Sequence, residues 1–453
     1  MERNIIKSLM GWKNSALRKP LVLYGARQVG KTWILKEFGK KAYTQTVYLN
    51  FDDEPGLSDY FQKNLKPERI IGALESHFGV KIAPNDTLII FDEIQESQRA
   101  KDSLKSFNEN APQYHIAAAG SFLGVASGKF PVGQVDSFTL YPMSFYEFLK
   151  AIGRSALLKN IEALDFPLLE SLSALLTDML KTYFYVGGMP AAVRAFAQTS
   201  DLAVVRETQN EILRNYKNDF SKHISPHDIP KVRMLWDSMP VHLAREKKKF
   251  IYKDVKTGGR TSEFENALDW LVNTGLVHKI SRTLNPKLPL ERDQEREAFK
   301  LFMLDVGLLC AKSNIDLSLF YVSDPKIFEE FHGALTEQYV CQELKSTTLN
   351  PVFYWGREKG DAEVDFIMQH KNDIIPIEAK SGKRTQSKSL NVYMSEYNPK
   401  IAVKVSLKNY GRTGNLLSLP LYLVGYISRI CLQEQLSEPR FVSVAQPLDL
   451  CWL

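Results

Sequence analysis

The apolar run LVLY at 21–24 ends abruptly in GARQVGKT at 25–32, and amphipathic helical spacing begins at Lys31. Few stretches constrain a fold more. The order G-x-x-x-x-G-K-[ST], set between a buried strand and a helix, builds a loop whose backbone N–H groups converge on one point. Its glycines permit backbone angles that a side chain would forbid. The positive end of the following helix faces the same point, so the loop attracts an anion, and phosphate oxygens fit it. Gly25, Ala26, Arg27, Gln28, Val29 and Gly30 form the expected cradle. Lys31 is expected to reach β- and γ-phosphates, and the Thr32 hydroxyl to bind Mg²⁺. ATP and magnesium are therefore the expected cofactors.

A strand of this kind needs neighbours. Short apolar runs recur at TVYLN (46–50), TLIIF (87–91) and HIAAA (115–119), with helical spacing such as PERIIGALESHF (67–78) between them. Strands of this type alternating with helices predict an α/β domain built on a doubly wound parallel sheet. A phosphate cradle also needs a second magnesium ligand at the end of another buried strand. TLIIFDE supplies Asp92 for that role, and Glu93 beside it is placed to polarise an attacking water.

At 453 residues the chain has length for about three domains of roughly 150 residues. Hydrophobic residues make up 44% and charged residues 24%, enough to fill several cores, which excludes wholesale disorder. The net charge of +6 is too mild to specify a nucleic-acid partner. Cys310, Cys341, Cys431 and Cys451 lie far apart, without a C-x-x-C pair, so a disulfide framework or zinc module is not expected. The first residues lack the apolar segment of a signal peptide, and no uncharged apolar run is long enough to span a bilayer. The expected setting is cytoplasmic, with no membrane contact.

Six segments occur in order: RKPLVLYGARQVGKTWILKEFG, YLNFDDEP, FDEIQ, AAAGSFLG, LYPMSFYEFL and YFYVGGMPAAV. Together they resemble the bacterial and archaeal AAA-family ATPases that carry a C-terminal conserved domain of unknown function. The resemblance runs from about residue 1 to about residue 450. The adjacent acidic pair and the intervening strand are similar to the catalytic-glutamate division of P-loop ATPases, which implies ATP hydrolysis with Lys31 and Glu93 as catalytic residues. The resemblance also implies that Ser121, at the tip of HIAAAGS, senses the γ-phosphate. It implies that Pro190, in the GGMP break, packs on the adenine as in STAND-type relatives. Gln134 stands where many relatives carry a basic residue, so the arginine finger is unassigned and an oligomer stays open.

Four parts are expected: an ATPase domain over 1–152, a helical lid over 153–228, a winged helix over 229–312, and an α/β domain over 313–453. In the third part, Phe264, Leu268 and Leu271 share one helical face. Residues 245–282 hold nine basic and five acidic residues, but Glu263, Glu265 and Asp269 on the candidate recognition helix would repel phosphate. DNA contact and protein packing are both compatible with that pattern.

The last part holds Glu337 on a helix, Glu363 and Asp365 two apart on a strand, and Glu378 with Lys380 on the next strand. Asp, a spacer, then Glu-x-Lys resembles the PD-(D/E)xK nuclease core. There two carboxylates hold a divalent ion and the lysine activates water. The resemblance implies a nuclease site at Glu337, Asp365, Glu378 and Lys380, with a second Mg²⁺ or Mn²⁺. Residues 380–412 contain eight basic residues and only Glu396 as an acid, a net of +7 suited to DNA or RNA. The expected function is ATP hydrolysis controlling a DNA-directed C-terminal half. The alternative is a nucleotide-gated module that binds nucleic acid or protein, hydrolyses slowly and cleaves nothing.

Overall fold

The computed structural model describes residues 1–121, 133–221, 224–243, 249–316, 318–319, 325–348, 350–382 and 387–437. Its N-terminal sheet contains β1 (Leu21–Gly25), β2 (Gln45–Asn50), β3 (Thr87–Asp92), β4 (His115–Ser121) and β5 (Asp136–Thr139). The strands run parallel in the order β2-β3-β4-β1-β5. β4 thus stands between β1 and β3, and the carboxyl ends of all three open on the same edge.

Alternation along each strand explains why both faces are covered. Leu21 and Leu23 enter one core with Ile34, Leu35 and Phe38 of helix α2 (Lys31–Ala42). Val22 points the other way, into a core with Ile70 and Leu74 of α3 (Pro67–Phe78) and Leu104 of α4 (Gln98–Asn110). On β3, Leu88 and Ile90 join the first core, Ile89 and Phe91 the second. A strand buried on both sides carries a continuous apolar run, as TLIIF does.

After β5 the chain becomes helical, from Phe145–Ala151 to Leu202–Asp219. The first of these helices starts with a reciprocal cap between Ser144 and Glu147. Two further helices, Ile229–Leu243 and Thr261–Asn273, precede the hairpin β6 (Val277–Thr283) and β7 (Gln294–Met303). Phe264, Leu268 and Leu271 are buried together, as their spacing predicts.

The hairpin is not a free wing. β6 pairs with β8 (Val352–Gly356) through Arg282 opposite Tyr354 and Thr283 opposite Trp355. It thereby joins a sheet with β9 (Glu363–His370), β10 (Asp373–Ala379), β11 (Ala402–Ser406), β12 (Gly411–Thr413) and β13 (Leu416–Pro420). The eight strands lie in the order β12-β13-β11-β10-β9-β8-β6-β7. The physical cause lies in β7, whose residues Ala298–Met303 are all buried and need cover that a solvated wing would not give. Strands of one sheet therefore lie on both sides of position 312.

One hydrophobic cluster runs from Leu21 through Tyr183 and Val306 to Ile377 and Cys431. The N-terminal sheet, the helices after β5 and the C-terminal sheet share it. Cys310, Cys341 and Cys431 are buried free thiols, and Cys451 lies outside the described residues. Among the described residues no helix is long and apolar enough to cross a membrane.

Candidate functional site: a nucleotide cleft and a carboxylate centre

Gly25 turns the chain at φ +158°, and a Cβ there would sit 2.4 Å from the carbonyl oxygen of Leu140. Glycine is the residue that fits. Gln28 and Gly30 also take positive φ, curling the loop onto the start of α2. Lys31 is buried, and its Nζ donates to the carbonyls of Gly25 (3.0 Å) and Ala26 (2.9 Å). Burial lowers its pKa to about 8, against the opposing pull of Glu93 and Asp92.

The Thr32 hydroxyl donates to Asp92 Oδ2 at 2.7 Å, and the Tyr48 hydroxyl donates to the same oxygen at 2.7 Å. The Glu93 amide donates to Asp92 Oδ1 at 3.1 Å. Residues 60 positions apart thus meet because β3 ends beside the loop that follows β1. A hard divalent ion prefers few carboxylates, hydroxyls and water, and Thr32 with Asp92 fits that donor set. Glu93 is held at φ +50° and accepts from Gln95 Nε2, so its carboxylate is aimed by strained backbone and by a side chain. Tyr48 was not expected; its only sequence signal is a hydroxyl-bearing residue within the apolar run of β2.

A cleft of about 700 Å³ opens above the loop, lined by Lys31, Thr32, Trp33, Glu93, Pro190 and Arg194 among others. Pro190 begins the helix Pro190–Thr199, and its Cγ lies 3.7 Å from where a Cβ on Gly30 would stand. Arg194, exposed on that helix, is a cation the sequence reading overlooked, since nothing local marks it. Arg27, also at the cleft wall, pairs with Asp219 at 2.6 Å, while its carbonyl accepts from Tyr216 at 2.8 Å. Both partners come from the helix Leu202–Asp219, which fixes the outer side of the loop. The Val29 carbonyl accepts from Arg3 at 3.1 Å.

Ser121 ends β4 opposite Gly25, and its side chain lies outside the described residues. Gln134 accepts from Asn108 at 2.6 Å, a contact within its own domain.

The turn at Gly187 and Gly188 is clasped from behind. Buried Asp305 accepts from the Gly188 amide at 2.6 Å and from the Leu308 amide at 2.9 Å. A Cβ on Gly188 would fall 2.0 Å from the Met143 carbonyl, so the turn admits no side chain there. The long helix Pro325–Thr347 completes the clasp. Its Gln342 accepts from the Val306 amide at 2.9 Å and donates to Tyr183 at 2.8 Å. Its Glu343 accepts from the Phe145 amide at 2.9 Å.

Glu337, on the same helix, lies at the C-terminal centre with Glu363, Asp365, Glu378 and Lys380, so the four expected nuclease-site residues do converge. Lys380 pairs with Glu378 at 2.8 Å, and Asp365 Oδ2 accepts from the Ala379 amide at 2.9 Å. The sequence reading missed Lys300, a fully buried cation on β7. Its Nζ lies 2.5 Å from Glu363, 3.7 Å from Asp365 and 3.8 Å from Glu337. Burial alone would lower its pKa, but these three carboxylates more than reverse that and raise it. Among the described residues no group of three or more His, Cys, Asp or Glu is placed to hold a metal, and the Lys300 ammonium lies among three of the carboxylates where a second divalent ion was expected.

Residues 17–149 match the family model described as an AAA domain. The N-terminal part is thus an AAA-type P-loop ATPase domain. Downstream of the AAA domain, residues 177–318 match Domain of unknown function (DUF8612), and residues 332–423 match Domain of unknown function (DUF4143). No curated protein matches the chain. Among solved structures, a Walker-type ATPase of Pyrococcus abyssi is 14% identical with TM-score 0.44, covering 69% of this chain and 95% of its own. The Holliday junction branch migration motor RuvB of Thermotoga maritima is 10% identical with TM-score 0.31, covering 63% and 90% respectively.

Proposed function

We propose that this chain hydrolyses ATP with Mg²⁺ and uses the cycle to change how its C-terminal half engages DNA or RNA. The contact of Thr32 with Asp92, with Glu93 next in sequence, carries the reading. Triphosphate oxygens would take over the Lys31 ammonium from the Gly25 and Ala26 carbonyls, and the loop amides would hold the β-phosphate. Thr32 and Asp92 would hold magnesium, which when bound supplies charge neutralisation on the transferring phosphoryl group. Glu93 would accept a hydrogen bond from the attacking water and orient it, Ser121 would report on the γ-phosphate, and Pro190 would border the base. Three buried thiols agree with a cytoplasmic setting.

The test is Glu93→Gln in the whole protein. ATP affinity should persist while kcat falls about 10²–10⁴-fold, the range for a lost general base. Turnover like the wild type would move the catalytic role elsewhere.

One observation favours the alternative of a nucleotide-gated module with a protein partner. Within 380–412, Lys380, Lys400 and Arg412 are paired with Glu378, Asp373 and Glu434. Two of those acids precede the stretch and one follows it, so the local count of +7 overstates the field. Lys383 and Arg384 lie outside the described residues. Anisotropy titrations of labelled DNA and RNA, with and without ATP, separate the readings. Binding that weakens linearly with log salt supports nucleic acid. No retention at low salt favours a protein partner.

A further inference from the structure

We infer that Lys300 is the resident cation of the C-terminal carboxylate centre and keeps divalent metal out of it. The inference stands on geometry independent of the ATPase reading.

Lys300 reaches the centre from β7, with its Nζ 4.9 Å from the centroid of the Tyr354 ring. Its side chain is 1% exposed. Four carboxylates meet there, Glu337, Glu363, Asp365 and Glu378, and two ammonium groups, Lys300 and Lys380, answer them. Lys380 serves Glu378, and Lys300 serves the other three.

A metal ligand must offer a lone pair toward the ion. Asp365 Oδ1 faces Lys300, and its Oδ2 already accepts from Ala379. Glu337 presents Oε2 to the same ammonium. A divalent ion at about 2–2.6 Å from these oxygens would lie within a few ångström of Nζ. Two cations that close in a buried site repel strongly. The lysine cannot swing into solvent, because its stem is enclosed by the sheet.

The same contacts give Lys300 a second consequence. Glu337 lies on the long helix, Glu363 and Asp365 on β9 and Lys300 on β7, so one ammonium ties three elements together. A metal ion performs that tying in centres built from carboxylates alone. Here the chain supplies its own charge.

The experiment titrates the full-length protein with Mn²⁺, without nucleotide, and counts bound ion from the loss of the free-ion EPR signal. Wild type and Asp365→Asn should bind Mn²⁺ identically, because neither uses this centre. Lys300→Met should gain a site at least tenfold tighter than any in the wild type, and Lys300→Met/Asp365→Asn should lose it. Wild-type binding that Asp365→Asn removes would overturn the inference, as would a folded Lys300→Met variant that gains nothing. Should Lys300→Met fail to fold alone, Mn²⁺ present during refolding should restore it. Failure of that rescue would also overturn the inference.

Discussion

Lys31 shows what the sequence position of one residue reveals and what it leaves to the fold. Its place in GARQVGKT fixes its role from sequence, because the loop and the helix start are local. Its proton does not follow from sequence. Burial lowers the pKa to about 8, below the ordinary lysine value, so the free site loses its positive charge as pH rises through that point. ATP affinity should therefore be full below pH 8 and fall above it, while binding at pH 8.5 takes up a proton. Calorimetry in two buffers of different ionisation enthalpy reads that uptake. Lys31→Ala should abolish tight ATP binding and leave nothing to titrate; unchanged affinity would sink the loop assignment. Trp33, partly exposed in the cleft, offers a fluorescence readout that Trp33→Phe should remove.

Among elements, the long helix Pro325–Thr347 carries the most distant coupling. Its Glu343 is buried, and its pKa is raised to about 8 by burial, only partly offset by the Phe145 amide. An unfolded glutamate ionises near 4.5, so between that pH and about 8 the unfolded chain binds fewer protons than the native one. Stability is expected to fall across this window as pH rises, by about 1.4 kcal/mol for each pH unit crossed. Glu343→Gln keeps an oxygen for the Phe145 amide and removes the titration. Its melting temperature should exceed that of the wild type at pH 8 and lose the advantage near pH 5. Equal melting curves at both values would show that Glu343 is ionised in the fold. The sequence marked this helix only by Glu337, because its other polar residues, Gln338, Gln342 and Glu343, act on backbone groups far along the chain.

At the scale of the molecule, the clasp at Asp305 connects the cleft to the C-terminal sheet. Pro190 borders the phosphate loop, Gly188 two residues earlier is held by Asp305, and Gln342 ties Val306, the residue after Asp305, to the helix that bears Glu337. Coupling of this kind needs an element with two arrangements that both sites bias. Hydrogen exchange should show ATP changing protection in 333–347 of the wild type. In Asp305→Asn, whose amide cannot accept both backbone donors, that change should disappear while ATP still binds. An undiminished response in the variant would place the coupling elsewhere.

The sequence by itself determined the parallel sheet, the phosphate loop, Thr32 with Lys31, and the Asp92–Glu93 pair. Each is encoded in a run of about ten residues, where strand, turn and helix signals agree. Alternation put Glu363 with Asp365 on one face of a strand and Glu378 with Lys380 on one face of the next, while the grouping of Glu337, Asp365, Glu378 and Lys380 came from the resemblance to the PD-(D/E)xK core. Tertiary structure alone decided that β6 and β7 enter the C-terminal sheet, since only the buried apolar face of β7 and the pairing of β6 with β8 settle it. It likewise decided that Tyr48 shares the Asp92 oxygen and that Lys300 enters the carboxylate centre. Charges 37, 63 and 65 positions apart along the chain carry no local signature; they meet because the fold removes water from between them and leaves each buried charge in need of an opposite one.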